Sequence, residues 1–354
     1  MSAFKETLKN NRVVRKLFYF FKGYFNFKSL FLKALQTIDE FGVDVADEEK
    51  NKMAKDMVKT FSKYGFGFDE YICYNFNEKN KKERLEFVAD WEHLGYTCAL
   101  NSFRNEEIFD NKWKTYLTYT NFYGRKVLFC DNNTRIEEFV AFLSENEKVI
   151  IKPLNLSCGN GIQIIKTKDM AGNAQEIYNN LLQKYAGKFL IEEIIEQVSE
   201  MAKLHPYSVN TIRIPTIRTK DEVKIVHPFM RVGQKGNFVD NAGAGGIICA
   251  VHVDTGEIFA AVDEKAKSFQ THPDTSERLI GFIVPKWEEA KELVRKLALI
   301  VPENRYTGWD VALTEKGWVL VEANRRGQFV WQIASKEGFR KEINEILKTL
   351  ELKY

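Results

Sequence analysis

The segment Val311 to Leu320, VALTEKGWVL, constrains this chain more than any other. It reads as strand, tight turn and strand, with Gly308-Trp309-Asp310 before it and Val321-Glu322-Ala323-Asn324 at its end. A three-residue loop Glu315-Lys316-Gly317, with Gly317 in the left-handed bulge position, pairs Thr314 with Trp318. Counting outward sets Asp310 opposite Glu322, and Asn324, two residues on, shares their sheet face. Three oxygen-bearing side chains then converge at one end of a mostly apolar hairpin. Hard oxygens so grouped suit Mg2+, above all where substrate phosphates complete the shell. A solvated strand end with scattered polar residues is the plainer alternative.

A second element adds weight to the metal reading. Glu147 to Leu154 (EKVIIKPL) is a short apolar strand ending in Lys152-Pro153, followed by Asn155-Leu156-Ser157-Cys158-Gly159-Asn160-Gly161 and a second apolar run, Ile162 to Ile165. A Walker loop needs GK[ST] opening a helix, and a dinucleotide fingerprint needs G-x-G-x-x-G opening a helix; neither is present. A glycine-bearing hairpin loop can still cover phosphates through backbone N–H groups, with Lys152 supplying charge beneath it. A third segment, Lys188 to Gln197 (KFLIEEIIEQ), is an apolar strand that breaks into acidic residues. It suits either an adenine-binding connection or an edge strand with exposed glutamates.

The order Lys112 in FDNKWKTY, IIKPLNLSCGNGI, LIEEII, HPYSVNTIRI and GWDVALTEKGWVLVEAN resembles the ATP-grasp superfamily, more narrowly its sugar-transfer-associated members. The likeness spans roughly residues 60 to 335. It implies an α+β ATP-grasp fold in which a nucleotide is held between a small α/β lobe and a larger antiparallel-sheet lobe. It also implies that Lys112 and Lys152 contact the nucleotide phosphates under the loop Ser157, Cys158, Gly159, Asn160 and Gly161. Glu192, Glu193, Ile194 and Ile195 then match the adenine hinge, and Glu196 or Glu200 the ribose-binding acid. Asp310, Glu322 and Asn324 match the metal ligands, with Glu322 bridging two Mg2+ ions. D-alanine ligase relatives place an arginine two residues before the metal-binding aspartate; here that position is Gly308.

Composition bounds the alternatives. The net charge of +3 is too small to imply a nucleic-acid partner. Five cysteines, odd in number and without a CxxC pair, suggest a reducing compartment and no zinc site. No apolar run is long enough to span a membrane, and no secretion signal is visible. The localisation expected is cytoplasmic, with the inner face of a membrane as a place of peripheral contact. That contact would come from the N-terminus, where Lys5, Lys9, Arg12, Arg15, Lys16, Lys22, Lys28 and Lys33 interleave with Phe18 to Phe21, Tyr24, Phe25 and Phe27. Such a stretch suits an anionic membrane surface, or helices packing their aromatics on the main body.

Four regions are expected: a helical basic and aromatic region over 1–60, an α/β subdomain over 61–123, the small lobe with phosphate loop and hinge over 124–196, and the large lobe over 197–354. Within them Tyr71 to Tyr74 reads as a buried strand and Lys81 to Trp91 as a charged helix. Strands are expected at Thr211–Ile217, Val223–Val232, Gly246–Val253 and Glu257–Val262, and helices at Glu288–Leu299 and Phe339–Leu352.

The resemblance implies an ATP-dependent carboxylate–amine ligase. A carboxylate takes the γ-phosphate of ATP, and an amine displaces phosphate from the acyl phosphate to form an amide. The family association favours a sugar carboxylate, free or in a sugar nucleotide or glycan, in surface or capsular polysaccharide biosynthesis. With Gly308 unable to stabilise the oxyanion, Arg213, Arg231, Arg325 and Arg326 are the guanidiniums available. Arg213 alternates with Thr211 on one strand face, and Arg325 and Arg326 follow Asn324 directly. Asn210 and the small-residue segment ending in Gly245-Gly246 suit the substrate, although that segment also reads as a wide turn or bulge. His272-Pro273-Asp274-Thr275 suits either the cleft or a plain loop. A phosphotransferase acting on a hydroxyl, and a non-catalytic nucleotide-binding scaffold in a glycan assembly complex, remain as rivals.

Overall fold

The computed structural model describes residues 12–155, 161–169, 173–234 and 245–354, apart from the Phe103 side chain. Two antiparallel sheets face a common cleft. The smaller contains β1 (Val127–Asp131), β2 (Lys148–Lys152), β3 (Gln163–Lys166) and β4 (Lys188–Glu193) in the order β1-β4-β2-β3. Helices Ile136–Ser144 and Ala174–Lys184 bury Phe139, Phe142, Tyr178 and Leu181 against it, around Ile151, Phe189 and Ile191.

The larger sheet contains β5 (Ile212–Arg218), β6 (Val223–Ile225), β7 (Phe229–Val232), β8 (Ile247–Val251), β9 (Ile258–Val262), β10 (Tyr306–Thr314) and β11 (Gly317–Asn324). They run β11-β10-β5-β7-β8-β9, with β6 paired to β5. Helix Trp287–Ile300 lies on this sheet because Trp287, Ala290, Val294, Leu297 and Ala298 repeat at helical spacing, while Glu288 and Glu289 suit its N-terminal dipole. Those residues close the main core with Ile214, Met230, Cys249, Trp309, Val311 and Leu320.

Three local expectations are corrected. Tyr71 to Tyr74 lies not in a strand but in and just after the helix Phe68–Cys73, where all four residues are buried. Four consecutive apolar residues carry no period that separates helix from strand; the helix is set by Glu70, whose carboxylate accepts the Gly67 N–H at 2.6 Å. Residues 61–123 accordingly hold helices and, among the described residues, no strand, only a bridge from Asn101 to Asn304. The continuous helix from Lys81 to Trp91 is two helices, Lys81–Glu86 and Asp90–Leu100, separated by extended Phe87 and Ala89. Gln332 accepts the Val88 N–H at 3.0 Å and donates to its carbonyl at 3.1 Å, so the buried backbone groups that the break leaves without helical partners are satisfied from a distant helix. The run Val223–Val232 is likewise split, by His227 at φ 48 followed by Pro228.

The C-terminal hairpin keeps its carboxylate pair by a different route. The loop has two residues, Glu315 and Lys316, so Thr314 faces Gly317 and Leu313 faces Trp318. A bulge beside Asp310 then inserts one extra residue on β11 and restores Asp310 opposite Glu322.

Candidate functional site

A cavity of about 1470 Å³ separates the two sheets. That is larger than the few hundred to a thousand cubic ångströms usual for one drug-sized ligand, so two substrates fit together. Its walls include Lys112, Lys152, Glu192 to Glu196, Thr211, Arg213, Arg231, Asp310, Glu322, Asn324 and Arg326. Ser157, Cys158, Gly159 and Asn160 lie outside the described residues; Asn155 and Ile162 on either side line the cavity. Gly161, at φ 74, accepts a hydrogen bond from Tyr185 Oη at 2.7 Å.

The small-sheet wall is organised by Glu192. Its strand β4 is central, not an edge, and Glu192 is only 3% exposed. β2 and β1 flank β4, and the register sets Lys152 opposite Leu190 and Val127 opposite Glu192. Lys152 from one side and Arg125 from the other therefore reach Glu192 diagonally, and both contact its Oε2 at 2.9 Å. Arg125 also donates to the Leu320 carbonyl at 2.7 Å, joining the small sheet to β11 next to the bulge. Nothing in the sequence singled out Arg125; only the antiparallel register brings it to the site.

Burial pushes the Glu192 carboxyl up, but Lys152 and Arg125 outweigh it and hold the group down at about 2, against an ordinary 4.5. Burial lowers the Lys152 ammonium despite Glu192. A depressed carboxyl contributes stability that is complete above its unfolded value and lost as pH falls toward the folded one. The urea midpoint should hold above pH 4.5 and decline toward pH 2, and Glu192→Gln should flatten that decline.

The large-sheet wall is organised by Asp310, 1% exposed. β5 pairs with β10 so that Arg213 sits directly opposite Asp310. Arg213 Nε and Nη2 each donate to Asp310 at 2.6 Å, in a two-pronged contact. Arg231 Nη2 lies 2.8 Å from Asp310 Oδ2, and Asn324 Nδ2 donates to the same oxygen at 3.2 Å. Burial raises the Asp310 carboxyl, and the two arginines reverse that and keep it ionised. Lys112 Nζ is 2.9 Å from Glu322 Oε1, linking helix Lys112–Tyr119 to the same wall.

Gly308 makes room for the Arg213 side chain. A Cβ at this position would lie 3.2 Å from Arg213 Cδ and 3.3 Å from Gly327 Cα. The Arg213 side chain therefore crosses the space above Gly308, and the guanidinium comes from the neighbouring strand. Gly308→Val should cost about 1–3 kcal/mol by overpacking in urea unfolding; unaltered stability would mean that the space is not needed.

The other expected site residues divide between the cavity wall and the scaffold around it. Arg325 gives Nε and Nη2 to both oxygens of Asp110, at 2.8 and 2.9 Å, and Nη1 to Glu106. It lines the cavity while clamping helix Glu106–Asp110 to the end of β11, so its guanidinium is taken up by these two carboxylates. Arg326 is exposed on the cavity wall. Asn210 is buried and does not line the cavity; its amide donates to the Met201 and His205 carbonyls, which shapes the turn into β5. Gly245 and Gly246 lead into β8, Gly245 at φ 86, and neither lines the cavity. Of the two ribose candidates Glu196 lines the cavity, whereas the Glu200 carboxylate turns to the neighbouring Ser199 hydroxyl.

For Mg2+, the carboxylate of Glu322 and the amide oxygen of Asn324 are hard donors on one sheet face and fit the ion. Asp310 fits only in part, since both of its oxygens already take guanidinium hydrogen bonds.

Two antiparallel sheets gripping a cation-lined cavity, with a carboxylate hairpin on one wall, define a two-lobed nucleotide-grasping architecture. The family model for sugar-transfer-associated ATP-grasp proteins matches residues 93–348, and the chain belongs to that family. No curated protein sequence matches it. Among solved structures it is similar to ATP-grasp ligase PsnB complexed with a minimal precursor, at 14% identity over 71% of this chain and 63% of that one, TM-score 0.44. It is also similar to D-alanyl-alanine synthetase A from Vibrio cholerae O1 biovar eltor, at 15% identity over 70% and 62%, TM-score 0.41. A third is N5-carboxyaminoimidazole synthetase from Staphylococcus aureus complexed with ADP, at 10% identity over 65% and 48%, TM-score 0.42. The chain spans less than two thirds of each of these three. Family membership rests on the family match alone.

Proposed function

We propose that this protein is an ATP-dependent carboxylate–amine ligase, joining a carboxylate to a small amine through an acyl phosphate. The observation that carries this reading is one cleft in which Lys112 and Lys152 meet the Asp310, Glu322 and Asn324 group, with volume for nucleotide and acceptor together. The family's association with sugar transfer favours a sugar carboxylate, in surface or capsular polysaccharide assembly, drawing on cytoplasmic ATP. In this reading residues 124–196 form the nucleotide-gripping lobe and 197–354 the metal and substrate lobe.

Lys112 and Lys152 hold the phosphates, Glu192 to Ile195 offer backbone groups to the adenine, and Glu196 meets the ribose. Glu322 and Asn324 would hold Mg2+, joined by Asp310 when the guanidiniums turn to the phosphate; the ion supplies charge neutralisation. A substrate carboxylate oxygen attacks the γ-phosphorus, and ADP leaves. The amine nitrogen then attacks the acyl carbon, phosphate leaves, and Arg213 stabilises the developing oxyanion with Arg231 and Arg326 nearby.

An ADP-release screen crossing sugar-nucleotide uronates with small amines and amino acids tests the reaction. With a carboxylate that turns over, hydroxylamine should trap an acyl hydroxamate when amine is withheld. A phosphate ester product without hydroxamate would move the protein to phosphoryl transfer onto a hydroxyl. Lys152→Met should weaken ATP binding by about 10–100-fold in calorimetry, the worth of a hydrogen-bonded charge; unchanged affinity would remove Lys152 from the nucleotide site.

A further inference from the structure

Helices Arg12–Phe25 and Phe27–Glu40 meet end to end at Asn26, whose N–H reaches the Lys22 carbonyl at 3.1 Å and whose carbonyl accepts from Leu30 N at 2.9 Å. The first helix touches the body along one narrow line. Gly23 is its closest point, since a Cβ there would stand 1.7 Å from Ser62 Oγ. Tyr19 packs edge-on against Phe61, with ring centroids 5.1 Å apart. The aromatics around that line face outward: Phe20 is 55% exposed, Phe21 51%, Tyr24 74%, Phe25 73% and Phe27 48%. Of the rings named from sequence, Tyr19 thus packs on the main body, against Phe61 and Trp91, while these five keep about half or more of their surface exposed.

Between Arg12 and Ile38 there are six basic residues and no acidic one, in a chain whose net charge is only +3. Lys16, Lys22, Lys28 and Lys33 are exposed among the rings. Water does not tolerate so large an apolar surface without a partner. A protein interface core excludes lysine and gathers charge at its rim. Here lysines and rings are interleaved, the pattern of a helix lying at an acyl boundary while long cationic stems reach the headgroups. No helix among the described residues is long and apolar enough to cross a membrane.

We propose that residues 12–33 form an interfacial anchor that docks this protein on an anionic lipid surface. Tyr24, Phe25 and Phe27, at the junction of the two helices, enter the headgroup–acyl boundary, and Lys16, Lys22, Lys28 and Lys33 meet lipid phosphates. The anchor lies outside the cleft and does not depend on the ligase reading.

The test is cosedimentation of the full chain with phosphatidylcholine vesicles, with and without about one third phosphatidylglycerol. Binding to the anionic vesicles should be about tenfold tighter or more, and should fall severalfold between roughly 0.1 and 0.5 M salt. The triple substitution Tyr24→Ser, Phe25→Ser and Phe27→Ser should reduce it about tenfold, as should Lys16→Gln, Lys28→Gln and Lys33→Gln together. Unaltered melting of these variants shows that only the surface has changed. Failure to bind either vesicle, or equal binding to both, overturns the anchor. A solution dimer that the serine substitutions dissolve also overturns it, because the rings would then face a second copy of this chain.

Discussion

Glu322→Gln should lower ADP release by about 10³-fold while the protein keeps its fold, the scale of losing one preorganised electrostatic contact in a low-dielectric site. Glutamine preserves the volume and hydrogen-bonding reach of Glu322 but removes the charge that answers Lys112 at 2.9 Å. The Glu322 side chain is 35% exposed, so its pair with Lys112 is partly screened and its loss costs little stability. The expected signature is a collapse of turnover at saturating Mg2+ with a melting temperature close to the parent. ATP binding should survive in large part, because Lys152 and the Glu192 to Ile195 segment stand on the other sheet. Near-normal turnover in this variant would remove Glu322 from the metal site.

Arg213→Ala should both destabilise the protein and depress turnover, and the two effects need separating. Arg213 and Asp310 are 4% and 1% exposed at the side chain. Removing one partner of such a pair costs about 3–5 kcal/mol, because the remaining charge stays buried. Arg231 still reaches Asp310 at 2.8 Å, which favours the lower end of that range. Arg213→Lys keeps the charge and loses the planar fork. It should therefore recover much of the stability, yet leave kcat down by about 10²-fold with ATP affinity little changed. A lysine variant with normal kcat would make Arg213 a structural partner of Asp310 alone.

Much of this architecture was legible because it is local. Strand β2, the run Ile162 to Ile165 and the hairpin Tyr306–Asn324 join segments a few residues apart, so apolar alternation and turn residues specify them directly. Even so, the hairpin register at Asp310 and Glu322 was reached through the wrong loop. A two-residue turn and a bulge give the same pairing as a three-residue turn, and the residue count does not distinguish them. The break at Phe87–Ala89 was invisible because Gln332 and Arg340, far along the chain, take up its backbone groups: Arg340 Nη2 donates to the Phe87 carbonyl at 2.7 Å.

The sequence by itself determined the strand pairs β2 with β3 and β10 with β11, the face shared by Asp310, Glu322 and Asn324, and the lysine at the end of β2. Tertiary structure alone decided which cations meet which carboxylates. Arg213 stands 97 residues before its partner Asp310, and Arg125 is 67 residues before Glu192. Those pairs follow from the registers of β5 on β10 and of β1 on β4. A slip of one residue in either would turn every side chain of the strand to the other face. Burial of both sheet faces by distant segments fixes those registers, and no local pattern encodes it.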